Sequence, residues 1–167
     1  MRVINSTKEL PSVPAVYALY GGRGVTEYVA YVGVAKNLRQ RAEQHLVKHN
    51  SSVTTGQAAV RLETQYLTKL KWWEEPGFST RARLEAAELV ASSLLKPTLV
   101  SRGNSRNDSR KLFSDRTFYE SIRKLMANPS GVLVLSTTEE RIQKLEDRMT
   151  ALEEMISGKK KSKELKI

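Results

Sequence analysis

The stretch from residue 13 to residue 46 constrains the fold most. Residues 13–20 and 27–33 are rich in valine, tyrosine and alanine, side chains that suit a pleated, half-buried strand. Between them Gly21-Gly22-Arg23-Gly24 offers glycines able to take the positive backbone angles of a chain reversal. Two antiparallel strands joined as a hairpin are therefore expected. Asn37 follows at a position where its side-chain oxygen can satisfy the free amides of a helix start. Leu38, Ala42 and Leu46 then recur at i, i+4 and i+8, which predicts a helix with one apolar stripe running to about residue 49.

Residues 49–57 (HNSSVTTGQ) read as a polar connection, and 60–73 as strand-rich, ended by Glu75-Pro76-Gly77. The alanine and leucine of 81–95 predict a helix that stops before Pro97, because proline disfavours helical backbone in the residue ahead of it. The order strand, strand, helix, strand, helix predicts an α+β domain over residues 1–104. Its central sheet is expected to be three-stranded, antiparallel-containing and flanked by helices. Residues 105–135 read as a basic linker with a short helix at 118–126, a turn at Asn128-Pro129-Ser130-Gly131 and a short apolar run, strand or linker. Ser136 with Glu139, and Thr137 with Glu140, match a capping box. Leu135, Ile142, Leu145, Met149, Leu152 and Ile156 fall on a seven-residue apolar repeat amid charged residues, which predicts a short coiled-coil helix over 136–158. An amphipathic helix packed on its own domain is the competing reading. Residues 159–167 read as a basic, mobile tail.

Lysine and arginine outnumber acids by 28 to 18, a formal net charge of +10. Such a surface attracts polyanions, since each phosphate neutralised releases condensed counterions. Between Ser101 and Arg116, five cations (Arg102, Arg106, Arg110, Lys111, Arg116) sit among small hydrogen-bonding residues with only Asp108 and Asp115 against them. That segment suits either a phosphate backbone or a solvated loop. Cysteine is absent, which excludes disulfides, thiolate metal sites and cysteine nucleophiles. No apolar run is long enough to span a bilayer and the start lacks a signal-like segment, so no membrane partner and an intracellular place, cytoplasmic or nucleoid-associated, are expected.

The segment 14–45, PAVYALYGGRGVTEYVAYVGVAKNLRQRAEQH, resembles the signature of the GIY-YIG nuclease superfamily. Ala15-Val16-Tyr17 stands where that family has its first tripeptide, and Tyr31-Val32-Gly33 where it has the second. Arg41 follows ten residues after Tyr31, and His45 four later. Glu88 precedes Leu95-Lys96-Pro97 with a spacing that resembles the family's metal-binding helix. The resemblance covers residues 11–100. Ala15 replaces the usual glycine, and Val100 stands where the family often has asparagine.

The resemblance implies a metal-dependent endonuclease with Tyr17, Tyr31, Arg41, His45 and Glu88 as its catalytic set. Tyr17 would take a proton from the attacking water, and Mg²⁺ or Mn²⁺ on Glu88 would bind the scissile phosphate and ease departure of the 3′ oxygen. Arg41 suits the phosphate as a permanently charged bidentate donor. Strand neighbours bring Tyr17 and Tyr31 within reach of one site, and the i, i+4 spacing puts Arg41 and His45 on one helix face. Glu85, one turn before Glu88, is the competing carboxylate. DNA is the expected substrate, with Lys36, Arg39, Arg102, Arg106 and Arg110 as candidate phosphate contacts. A homodimer through the C-terminal helix is the expected assembly. The alternative is a catalytically silent nucleic-acid-binding or oligomerisation module on the same fold.

Overall fold

The computed structural model describes residues 1–47, 53–55, 58–60, 64–99, 106–136 and 138–164. The chain divides into two units, Met1–Leu135 and Ser136–Ile167.

The first unit is an α+β domain built on a mixed sheet of five strands. These are β1 (Arg2–Ile4), β2 (Ala15–Gly21), β3 (Tyr28–Ala35), β6 (Leu67–Trp73) and β7 (Gly131–Val134), with β4 (Val53–Thr55) and β5 (Ala58–Val60) forming a separate two-stranded ribbon. The order across the sheet is β1-β7-β6-β2-β3, antiparallel throughout except where β1 runs parallel to β7. The expected three strands are β2, β3 and β6. The sheet is wider than expected because β7 joins β6 and β1 then joins β7; β1 is three residues long, too short to show a period.

The hairpin forms as the glycines predict, with Gly22 at φ +69 and Gly24 at φ +56. Helix α1 (Leu38–Leu46) begins where the Asn37 carboxamide accepts from the Gln40 amide at 3.0 Å, and it ends three residues short of the expected boundary. Helix α2 (Arg81–Leu95) closes on Lys96, held in a left-handed conformation at φ 48. Beyond Pro97 the amides of Thr98 and Leu99 donate to the carbonyls of Val29 and Ala30 at 2.9 and 3.0 Å, covering part of the β3 edge.

Strand alternation sends successive side chains to opposite faces. Tyr17, Leu19, Leu70 and Trp72 join Leu38 and Ala42 of α1 on one face. Val16, Ala18, Val32 and Trp73 meet Leu84, Ala87 and Val90 of α2 on the other. Both tryptophans fill the core, each with its indole N–H satisfied: Trp72 donates to Glu74 Oε1 at 2.6 Å and Trp73 to the Met126 carbonyl at 3.2 Å.

Residues 105–135 are not a linker. They supply α3 (Asn107–Ser114), α4 (Arg116–Ala127) and β7, all within the first unit. Phe118, Ile122 and Met126 repeat every four residues and bury against the α2 side of the core, and Leu133 is buried at the centre of β7. A segment carrying that much apolar surface is stabilised by packing, despite its basic composition.

The second unit is one long helix, α5 (Thr138–Glu164). Helix continues through most of the segment expected to be a mobile tail, in keeping with the helix propensity of its lysines and their favourable placement toward a helix C-terminus. Among the described residues no helix is long and apolar enough to cross a membrane.

Candidate active site

Tyr17 lies on β2, Tyr31 on β3, His45 on α1 and Glu88 on α2. The two tyrosines lie on neighbouring strands, as expected, but are not directly opposed. In the hairpin register Tyr17 pairs with Gly33 and Tyr31 with Leu19, so the phenols meet diagonally, with ring centroids 6.1 Å apart. Gly33 permits this. A Cβ there would stand 2.6 Å from Cε1 of Tyr31 and 2.8 Å from the Tyr17 hydroxyl, closer than side-chain atoms approach. The imidazole of His45 completes a triangle, 5.9 Å from the Tyr17 ring and 6.1 Å from that of Tyr31. His45 is buried, and its Nε2 shares a 2.8 Å hydrogen bond with the Tyr17 hydroxyl. Leu38, Ala42 and His45 fall at i, i+4 and i+7 and form the buried face of α1, which carries the imidazole toward the sheet.

Burial dominates the electrostatics. It drives the Tyr17 phenol well above its ordinary pKa, and Tyr31 and Glu88 push in the same direction while Arg41 opposes them. Tyr31 is raised to about 12, by burial and then by Glu88. His45 is lowered to about 4 by burial and by the positive charge of Arg41, so its imidazole is neutral at physiological pH. Glu88 is mostly buried and raised to about 7, by desolvation first and by neighbouring Glu85 second, with Arg41 pulling it down. Glu88 therefore acts on both phenols, and Arg41 on both phenols, the imidazole and the carboxylate. One field joins five side chains drawn from four elements.

Glu85 has other partners. Its Oε1 accepts from Arg81 at 2.6 Å and its Oε2 from the Ser109 hydroxyl at 2.9 Å, which ties α2 to α3. Desolvation would raise its pKa, but these hydrogen bonds outweigh it and the carboxylate stays below its usual range. Of the two carboxylates the sequence left in competition, Glu88 is the one that the tyrosines feel.

An open cleft of about 800 Å³ is lined by Arg41 but not by Tyr17, Tyr31, His45 or Glu88. Lys36 ahead of α1 and Gln40, Arg41 and Gln44 along it line the cleft, together with Val34 and Ala35 of β3 and Arg81 and Glu85 of α2. Arg41 is exposed and belongs to both the cleft and the buried cluster. Lys36 lines the cleft as well. Arg39 does not; its Nε donates to the Leu10 carbonyl at 2.7 Å. Arg106 and Arg110 are exposed at the start of α3, and Arg102 lies outside the described residues. Arg81 and Ser109 entered no sequence reading of the site. Arg81 could have been found from its i, i+4 spacing to Glu85 on one helix, whereas nothing in the sequence marks Ser109, whose contact with Glu85 is tertiary.

A divalent cation fits Glu88. The carboxylate is partly buried, lacks an ion-paired partner of its own among the described residues, and carries a pKa raised by desolvation, a penalty that a bound cation would remove. Among the described residues no cluster of three or more acidic or histidine ligands stands ready. The donor set therefore suits a hard ion that keeps most of its waters and takes one carboxylate plus substrate oxygen, such as Mg²⁺ or Mn²⁺.

No protein-family model matches the chain, and neither a curated protein nor a solved structure matches it.

Proposed function

We propose that this protein is a GIY-YIG-type endonuclease that hydrolyses phosphodiester bonds in DNA. The observation that carries the reading is the convergence of Tyr17, Tyr31, Arg41, His45 and Glu88 beside a basic cleft. A structural cluster of strand tyrosines would need neither a partly buried carboxylate raised to about 7 nor an exposed arginine whose charge acts on all of its members.

Hydrolysis needs a nucleophile, neutralised phosphate oxygens and a stabilised leaving group. A free tyrosinate is out of reach for Tyr17, because burial holds the proton on the phenol. The hydrogen bond to His45 offers another route. Tyr17 takes a proton from water as its own moves to Nε2, so no buried phenolate need form. The water oxygen bonds to phosphorus, the P–O3′ bond breaks, and the leaving oxygen takes a proton from solvent. Arg41 makes the relay depend on substrate. Its charge depresses His45, and pairing that charge with a phosphate would raise the imidazole's affinity for the proton. Mg²⁺ or Mn²⁺ held by Glu88 would supply the Lewis acid that draws charge from the phosphate. Tyr31 positions water or phosphate beside Tyr17. The reading takes DNA as the substrate and a second copy of the chain, joined through the C-terminal helix, as the partner.

Nicking of supercoiled DNA by the purified chain tests this. Mg²⁺ should support cutting and EDTA should stop it, while Arg41→Ala and Glu88→Ala should each lower the rate by about a hundredfold or more with binding largely kept. DNA binding without any cutting would favour the silent module instead.

A further inference from the structure

We infer that α5 pairs with α5 of a second copy as a parallel, in-register, two-stranded coiled coil. Ile142, Leu145, Met149, Leu152 and Ile156 lie along the helix at alternating steps of three and four, and each is between 49% and 61% exposed. With Ile142 in the first position of a heptad, isoleucine or methionine occupies every a position from 142 to 156 and leucine both d positions. β-Branched residues at a with leucine at d favour two parallel strands over higher oligomers.

The charges flanking this seam choose the occupant and its direction. Arg141 and Arg148 fall at g, Glu146 and Glu153 at e. In a parallel pair each g faces the e of the next heptad across the seam, so Arg141 meets the partner's Glu146 and Arg148 meets the partner's Glu153. Symmetry doubles both pairs. Turning one helix around sets e against e and g against g, glutamate on glutamate and arginine on arginine. Among the described residues none of these four side chains has an ion pair within its own chain. A second copy of this chain is therefore complementary to the helix, and only in the parallel sense.

The pairing has a consequence that rests on the nuclease reading. Leu135 ends one unit and Ser136 begins the next, so parallel helices bring both chain junctions to the same end of the rod. Two tethered catalytic domains then meet one DNA at high effective concentration, which suits successive cuts within one encounter.

The test uses the full chain. Sedimentation should give twice the 18.8 kDa chain mass. The double variant Glu146→Arg/Glu153→Arg should sediment as a monomer, as should Arg141→Glu/Arg148→Glu, and an equimolar mixture of the two should regain the dimer mass. That recovery excludes misfolding as the cause of either loss. Direction is read with Ser136→Cys, the sole thiol in a chain without cysteine. Parallel helices allow an intermolecular disulfide under mild oxidation, whereas an antiparallel pair centred on Met149 separates the two thiols by roughly 40 Å. A wild-type monomer at high micromolar concentration, or a dimer that fails to cross-link at position 136, overturns the inference. A monomer would also remove the second copy from the proposed function, but neither result bears on the nicking assay or on the cleavage chemistry it tests.

Discussion

Glu88 is where stability and activity pull apart. Its carboxyl is raised to about 7 in the fold, against 4.5 for an unperturbed glutamate. A raised acid contributes fully below the unfolded pKa and loses that contribution as pH climbs through the folded one. The Glu88 contribution to native stability should therefore fall between about pH 4.5 and 7, by on the order of 3 kcal/mol in the metal-free protein. His45 carries the opposite sign. Its folded pKa of about 4 lies below the ordinary 6.5, so its contribution is complete above pH 6.5 and drains away as pH falls toward 4. The two slopes offset each other between about pH 4.5 and 6.5, leaving the net loss visible mainly as pH rises from 6.5 to 7.5. Glu88→Gln removes one of them. We expect thermal melts at pH 8 without metal to show that variant several degrees more stable than the parent, with a stability that now falls steadily below pH 6.5. Added Mg²⁺ should raise the melting temperature of the parent and leave the variant unmoved. A variant less stable than the parent at pH 8 would mean that the carboxylate is satisfied by the fold and has no need of a cation.

Helix α1 carries two of the five site residues, and its position depends on its first turn. The Asn37 carboxamide accepts from the Gln40 amide, and the backbone N–H of Leu38 and of Arg39 bond back to the Val13 and Pro11 carbonyls, 3.1 and 3.2 Å away. Asn37→Ala should cost about 1 kcal/mol in urea unfolding, and Asn37→Asp should restore most of it. An unchanged midpoint for the alanine variant would show that the backbone anchors alone hold the helix. This element was legible in the sequence because cap and apolar stripe are local signals, and α2 was legible for the same reason. Strand β1 and helix α3 were not. Three residues show no period, and α3 is held to α2 through Ser109 and Glu85, a contact 24 residues apart in sequence. The site divides along the same line. Tyr17, Tyr31, Arg41, His45 and Glu88 could be nominated from motif spacing. What could not be read was the diagonal meeting of the phenols over Gly33, which depends on the hairpin register, or the capture of Glu85 by Ser109, which is tertiary.

At the scale of the whole chain the excess of ten positive charges says only that polyanions will be attracted. Where they bind is a local question, and the fold divides cations that the composition treats alike. Lys36 and Arg41 line the cleft, while Arg39 is drawn back to the Leu10 carbonyl between them in sequence. Each phosphate contact contributes nearly one unit to the slope of log affinity against log salt, whereas diffuse charge shifts the affinity without a residue-specific step. On the proposed reading Glu88→Gln should bind without cutting, so titrations of duplex DNA over a range of salt can be read at equilibrium. In that background Lys36→Ala and Arg41→Ala should each reduce the slope by about one, and Arg39→Ala should leave it unchanged. Equal reductions for all three would mean that DNA follows the general charge of the surface. A selective loss would place the phosphodiester backbone in the cleft beside the two tyrosines, which is where a relay from water through Tyr17 to His45 requires it.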